Sequence, residues 1–282
     1  MFELRIDEKR PVEEENSQKR TKKQPDDEEK NTIMRTALFR KIIESVAEIV
    51  DDVDIKITQD GLSIQFMDAM NVTMMNVFLP ESTFDMFRCD KPLTLGLKIK
   101  EFLKVMRVLK IEANTSFYLR SEDNPEFLNI KFETEACTSD YIIKLQNIGS
   151  ESYDIPAIEF TAEAEMKSSD FLVMRQSAGN FAEYITIEAS DSSINFSQSG
   201  EMIGSKTKTK TSETGKYDIR VNITEDVSVE ISMKYMNCIT KTAGYCPNVR
   251  MCLGVNAPVF FEFKLKEGGH INYFIAPKMD DE

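Results

Sequence analysis

Lys100, Lys104 and Arg107 recur at three- and four-residue spacing, which puts two ammonium groups and a guanidinium on one face of a helix. Such a row neither forms bonds nor moves protons. Its chemistry is to hold phosphates, because flexible cations contact a polyanion backbone without reading bases. On another face of the same stretch Ile99, Phe102, Leu103, Met106 and Leu109 make an apolar stripe, with Lys98 and Lys110 at the ends. Lys234 and Lys241 are seven apart, two helical turns, and so share a face as well. Arg40 and Lys41 fall outside the apolar stripe of another helix, and Lys167 and Arg175 are the cations of a fourth. The candidate phosphate contacts are thus Arg40, Lys41, Lys100, Lys104, Arg107, Lys110, Arg175, Lys234 and Lys241.

The clustering matters because the chain as a whole is acidic. It has 48 acidic against 35 basic residues, net −13, and should be repelled by nucleic acid overall. Its cations must be gathered where a polyanion is held and kept off the remaining surface. That pattern points to a protein that surrounds or lines DNA without general stickiness.

Catalytic constellations are missing. The one histidine, His270, sits in a Gly-Gly-His turn and reads as structural. No GxxxxGK[ST] loop, HExxH pair or GxSxG elbow occurs. Acidic pairs such as Asp51-Asp52 and Asp280-Asp281 are expected on the solvated surface of so acidic a chain. The five cysteines (Cys89, Cys137, Cys238, Cys246 and Cys252) are odd in number, with no CxxC spacing, so neither a disulfide framework nor a zinc site is indicated. They read as small buried hydrophobes in a reducing, intracellular setting. No cofactor or metal is expected. No apolar run approaches the roughly 18–20 residues of a membrane span, and the start MFELRIDEKR has no signal-peptide apolar region.

The helices that carry the cations alternate with strands. A helix is expected over Leu38–Val50, with Leu38, Phe39, Ile42, Ile43, Val46 and Ile49 inward. Strands follow at Asp54–Ile57, Leu62–Phe66, Val72–Phe78 and Leu93–Leu97, then the helix Ile99–Lys110, then strands at Ser116–Arg120, Leu128–Phe132 and Ser139–Lys144. The stretch from Gln146 to Glu159 breaks the periodicity with Gly149 and Pro156 and reads as a linker. Between MFELRI and the first helix, about residues 7–33, lies a charged insertion with too few apolar residues to fold, read as a disordered loop. Its KRTKK run (Lys19 to Lys23) is read first as a solvated charge run, with nuclear import or DNA contact as alternatives.

Beyond the linker the order recurs. A further helix starts near Ser168. TIEASDSSINFSQ echoes KITQDGLSIQFMD, and VSVEISMKYMNCITK echoes LTLGLKIKEFLKVMR, about 130 residues apart. A whole domain is duplicated, so two halves each offer cationic helix faces to one extended anion.

FRCDKPLTLGLKIKEFLKVM (Phe87 to Met106), SINFSQSGEM (Ser193 to Met202) and GHINYFIAPKMDDE (Gly269 to Glu282) closely resemble the eukaryotic sliding clamp family, proliferating cell nuclear antigen. The resemblance runs along nearly the whole chain and includes the start MFELRI. It implies an α+β DNA-clamp fold of two duplicated domains, residues 1–144 and 160–282, joined by a connecting loop over 145–159. Sheets form the outside, and four helices line a ring. It implies a nuclear, non-enzymatic homotrimer that encircles double-stranded DNA regardless of sequence. Such a ring is opened by a separate ATP-dependent clamp loader and serves DNA polymerase, flap endonuclease and ligase in replication and repair. The related alternative is a subunit of a heterotrimeric DNA-damage checkpoint clamp. A nuclease is the reading from another class, and the missing catalytic constellation weighs against it.

Two further sites come with the resemblance. Short peptides with a glutamine, an aliphatic residue and two aromatics would dock in a pocket under the linker. The matching positions are Met67, Asn71, Val72, Met74, Tyr153, Ile155, Pro258, Phe274, Ile275 and Ala276. Subunits would join through edge strands carrying Tyr141 and Ile143 on one side and Thr207 and Thr209 on the other. The second strand, SKTKTKT, suits an edge with one solvated face, but equally a device that blocks pairing. Three departures stand out: the insertion, the weak positive charge of the helix near Ser168, and Asp191, where the family commonly has a lysine modified by ubiquitin or SUMO.

Overall fold

The computed structural model describes residues 1–8, 35–108, 115–151, 153–155, 157–208 and 219–278. Its first half runs β1 (Phe2–Asp7), α1 (Thr36–Ala47), β2 (Asp52–Thr58), β3 (Gly61–Met67), β4 (Thr73–Pro80), β5 (Met86–Cys89), β6 (Leu93–Lys98), α2 (Ile99–Val108), β7 (Ser116–Ser121), β8 (Phe127–Glu133) and β9 (Thr138–Lys144). The second half repeats that order element for element. It runs β10 (Ala162–Lys167), α3 (Ser168–Ala178), β11 (Tyr184–Ser190), β12 (Ser193–Ser199), β13 (Gly204–Lys208), β14 (Arg220–Ile223), β15 (Val227–Ser232), α4 (Met233–Ala243), β16 (Asn248–Leu253), β17 (Val259–Lys264) and β18 (His270–Ile275). The duplication expected from the echoes, and the two-domain α+β fold that the resemblance implies, are therefore present.

All strand pairs are antiparallel, and three sheets result. One is β5-β1-β7-β8-β9 and one is β13-β12-β11-β15. The third, β14-β10-β16-β17-β18-β4-β3-β2-β6, is continuous from one half to the other through the β18–β4 pair. The alternation in the sequence explains which face is inward. In β1, Phe2, Leu4 and Ile6 are fully buried while Glu3 and Arg5 are not. Among the described residues the four helices lay their apolar stripes on these sheets, with Phe39, Phe102, Phe117 and Phe132 interlocked in one half and Phe171, Phe196 and Phe261 in the other. α1 packs on α2, α3 on α4, and α1 on α4, so the helices form one contiguous layer. Hydroxyls fasten the α1–α4 junction: Ser45 Oγ meets Tyr245 OH at 2.8 Å and accepts from Thr242 Oγ1 at 3.4 Å.

Several expectations need adjusting. The first helix begins at Thr36 and ends at Ala47 rather than spanning Leu38–Val50. The insertion does not start at residue 7. Asp7 belongs to β1, and Glu8 is buried with its N–H donated to the Thr115 carbonyl at 2.8 Å. The rest of the insertion, residues 9–34 with the KRTKK run, lies outside the described residues, as do Lys110 and Thr209. The four-residue strands β5 and β14 are too short to be read from sequence, and β10 alternates, but with alanine rather than large apolar residues at two of its inward positions. Among the described residues no helix is long and apolar enough to cross a membrane.

Candidate nucleic-acid interface and docking pocket

α2 turns Ile99, Phe102, Leu103 and Met106 into the core, and this leaves Lys100, Lys104 and Arg107 exposed on its other side. Each of these cations already has an acid partner. Lys100 pairs with Asp51, Lys104 with Glu101 at 2.6 Å, and Arg107 with Glu44 on α1 at 3.2 Å. Lys241 on α4 pairs with Glu48 at the end of α1. Lys234, also exposed on α4, lies 4.9 Å from the centre of the Tyr235 ring, and Lys41 lies 5.9 Å from that of Tyr245. Arg40 is half-buried on α1. The cations of α1, α2 and α4 thus lie on a single helix layer. Together they form a face that can meet phosphates.

Arg175 does not belong to it, contrary to expectation. Its side chain is only 7% exposed, donating to the Gly179 carbonyl at 2.9 Å and to Asn237 Oδ1 on α4 at 2.6 Å. Burial also holds its guanidinium pKa down. The reason lies in the spacing of α3. Phe171, Met174, Arg175 and Ala178 stand at i, i+3, i+4 and i+7, all buried, so the arginine occupies a core position. It ties the end of α3 to α4. The helix stops at Gly179, whose φ of 82° suits glycine alone, and a Cβ there would lie 2.1 Å from the Phe181 ring.

The docking positions assemble on the opposite, outer face. Register sets Met67 beside Met74, Met74 beside Phe274, and Phe274 beside Phe260, across β3, β4, β18 and β17. Phe274 and Phe260 have ring centroids 4.7 Å apart, and Phe160 stacks on Phe260 at 5.8 Å. The result is a row of thioethers and aromatic rings, suited to an apolar anchor. Val72 and Pro258 are half-buried, Asn71 and Ala276 are exposed, and the Ala276 N–H donates to the Val72 carbonyl at 2.8 Å. Ile275 is a correction: it is fully buried, paired with Thr73, and its side chain faces the core rather than the outer row.

The linker is fastened over this face at its ends. Gln65 donates Nε2–H to the Tyr153 carbonyl at 2.8 Å and accepts the Tyr153 N–H at 3.1 Å, with Ile155 beyond it 38% exposed. Upstream, the buried Asp54 carboxylate accepts the Ser150 N–H at 2.8 Å. The Gln146 N–H donates to the Gly96 carbonyl, an approach so close that a Cβ on Gly96 would lie 2.0 Å from the Gln146 oxygen. A groove of about 710 Å³ opens there, between Lys56 and Lys144. Sequence reading missed Gln65, Phe160 and Phe260. Phe260 had the alternation of an ordinary strand residue, and only register puts it beside Phe274, while Phe160 precedes β10 and reaches the row by stacking on Phe260.

The edges are also as the topology required. β9 ends the five-stranded sheet and β13 the four-stranded one. Tyr141 and Ile143 are half-buried on the inner side of β9, Tyr141 edge-on to Phe132, whereas Ile142 is 69% exposed. Thr207 is half-buried on β13, between the exposed Lys206 and Lys208. Cys89, Cys238, Cys246 and Cys252 are buried, and burial pushes the Cys246 thiol up to about 12.

Both halves match known domains. Residues 30–153 match the family description "Proliferating cell nuclear antigen, N-terminal domain", and residues 154–278 match "Proliferating cell nuclear antigen, C-terminal domain". Proliferating cell nuclear antigen 2 of Drosophila melanogaster is similar to the chain, 27% identical over 251 residues that cover 88% of this chain and 97% of the relative.

Proposed function

Because the chain belongs to the proliferating cell nuclear antigen family, we propose that it is a homotrimeric sliding clamp. It encircles duplex DNA in the nucleus and docks replication and repair proteins, with no catalysis of its own. One observation carries the assembly. Within the chain, the last strand of the second half, β18, pairs with β4 of the first. The structural counterparts of those two strands are β9 and β13, and each of them stands at a sheet edge. A second copy can repeat the internal junction with them, and repetition closes a ring.

The register follows from the same equivalence. Phe66 faces Met75 as Phe196 faces Thr207, and Phe263 faces Ile271 as Phe132 faces Ser139. Since Tyr273 lies against Met75 and Asn272 against Asn76, Tyr141 falls against Thr207 of the next copy, and Asp140 against its Lys208. Opposite charges meet at that step, which supports joining over blocking as the meaning of the lysine-threonine alternation.

The helix layer then faces the hole. Arg40, Lys41, Lys100, Lys104, Arg107, Lys234 and Lys241 contact phosphates without base preference, as a sliding protein needs. The outer row from Met67 to Phe260 takes the aromatic anchors of partner peptides, from polymerase, clamp loader, flap endonuclease and ligase.

Light scattering at micromolar concentration should give three times the 32.3 kDa chain mass. A stable monomer that assembles only with other chains would instead favour a checkpoint-clamp subunit. Reversing Lys104 and Arg107 to Glu should abolish polymerase stimulation while the trimer persists. Full stimulation by that variant would remove the DNA assignment.

A further inference from the structure

We infer that Tyr235, on the helix layer, is a positioning residue for the docking pocket on the outer face, acting through Asp68. The inference rests on the docking role proposed above. Asp68 follows directly on β3 and is 3% exposed, a carboxylate that must find donors to be tolerated there. Four donors reach it. Oδ1 accepts the N–H groups of Val72 at 2.8 Å and Thr73 at 2.7 Å, and Oδ2 accepts the Met70 N–H at 3.3 Å and the Tyr235 hydroxyl at 2.6 Å. Backbone bonds close the same loop, from the Asp68 N–H to the Thr73 carbonyl and from the Asn71 N–H to the Asp68 carbonyl. Asn71 is held at φ 55°, a left-handed conformation that this wrapping stabilises.

Three of those donors are local to the loop. The fourth comes from α4, in the other half of the chain, and Tyr235 is itself 3% exposed. The loop that carries Asn71 and Val72, flanked by Met67 and Met74, is thereby fixed against the second half, which supplies Phe274 and Phe260. The β4–β18 ladder and the Ala276–Val72 bond join the two walls through backbone, and this hydroxyl adds a side-chain tie that fixes the loop between them. Burial pushes the Asp68 carboxyl up, and the bonds from Tyr235, Thr73, Val72 and Met70 more than reverse it, so the group stays charged. A pocket whose walls are set beforehand spends less on ordering when a peptide binds.

The test uses the full chain and a fluorescent synthetic peptide bearing glutamine, an aliphatic residue and two aromatics. Tyr235→Phe keeps the ring and removes only the hydroxyl. It should weaken the peptide about five- to tenfold and speed amide hydrogen exchange over residues 68–75, while salt-dependent DNA association through Lys234 stays as in the parent. Asp68→Asn should weaken binding similarly, and the double variant little further, because both changes cut one linkage. Parental affinity in folded Tyr235→Phe would overturn the inference and leave the docking role intact. Lost affinity without faster exchange over that segment would also overturn it. Failure of the parent to bind the peptide would remove the docking role and this inference together. Should Tyr235→Phe not fold, Asp68→Asn carries the same two readouts.

Discussion

Glu48, which caps the end of α1, holds the ammonium of Lys241 across the junction between the two halves of the chain. Glu44, one turn earlier, holds the guanidinium of Arg107 on α2, within the first half. Two acids at the end of one helix thus occupy cations of two others, on the face that the proposed function turns to phosphates. An acidic chain can in this way hold a basic face that is muted until a stronger anion arrives.

The first prediction tests that muting. Replacing Glu44 and Glu48 by Gln leaves shape and hydrogen bonding nearly unchanged but frees Arg107 and Lys241. Duplex affinity at low salt should rise about three- to tenfold, and its dependence on salt should steepen. The pairs are exposed, so global stability should barely move. Salt titrations of a labelled duplex decide it: unchanged affinity and slope would mean that these two cations do not meet DNA.

The second prediction fixes the join between copies. In a background with the exposed Cys137 changed to Ser, Asp140→Cys with Lys208→Cys should give disulfide-linked trimers on mild oxidation. These two positions oppose each other in the register inferred from the β18–β4 pair. Asp140→Cys with Thr207→Cys places the thiols on opposite faces of the strands and should stay largely unlinked. Gel mobility under non-reducing conditions reads the result, and the reverse pattern would put the register one residue off.

A third prediction separates Arg175 from the DNA face. Arg175→Met removes both of its hydrogen bonds and leaves the Gly179 carbonyl and the Asn237 side chain without that donor. A stability loss of about 2–3 kcal/mol is expected, read from the denaturant midpoint, with duplex affinity unaltered. A parental midpoint and weakened DNA binding would restore the arginine to the phosphate contacts.

Arg175 also marks the boundary of what the sequence discloses. The stripes of α1 and α2 were legible because large apolar residues recur at helical spacing, and the cations then fell outside by default. α3 has a polar residue inside its stripe, so reading charge as exposure failed although the i, i+3, i+4, i+7 spacing was present. Ile275 failed for a related reason: adjacent residues in a strand face opposite ways, and Phe274 could not join the outer row unless Ile275 left it. Gln65 and Phe260 depend on long-range register, which nothing in their own neighbourhood specifies. Pairing between distant strands is the part of the fold that a chain read locally does not reveal.

The last prediction concerns the linker wall. Gln65 fixes Tyr153 by two hydrogen bonds, and Ile155, two residues on and about three-eighths exposed, is the wall that the proposed docking role assigns to the linker. An aromatic anchor entering beside it would bury the remainder of that side chain, and apolar burial supplies the gain. Ile155→Asp reverses the sign. The carboxylate must either be desolvated without a partner as the anchor enters or swing out and leave a gap in the wall. Either outcome should weaken an aromatic-anchored peptide at least tenfold, about 1.4 kcal/mol or more. The trimer should be untouched, because Tyr153, two residues before Ile155, is tied to Gln65 of β3 and not to the edge strands β9 and β13. Titration of the labelled peptide against a variant of unchanged mass and melting temperature is decisive, and parental affinity would mean that partners do not dock under the linker.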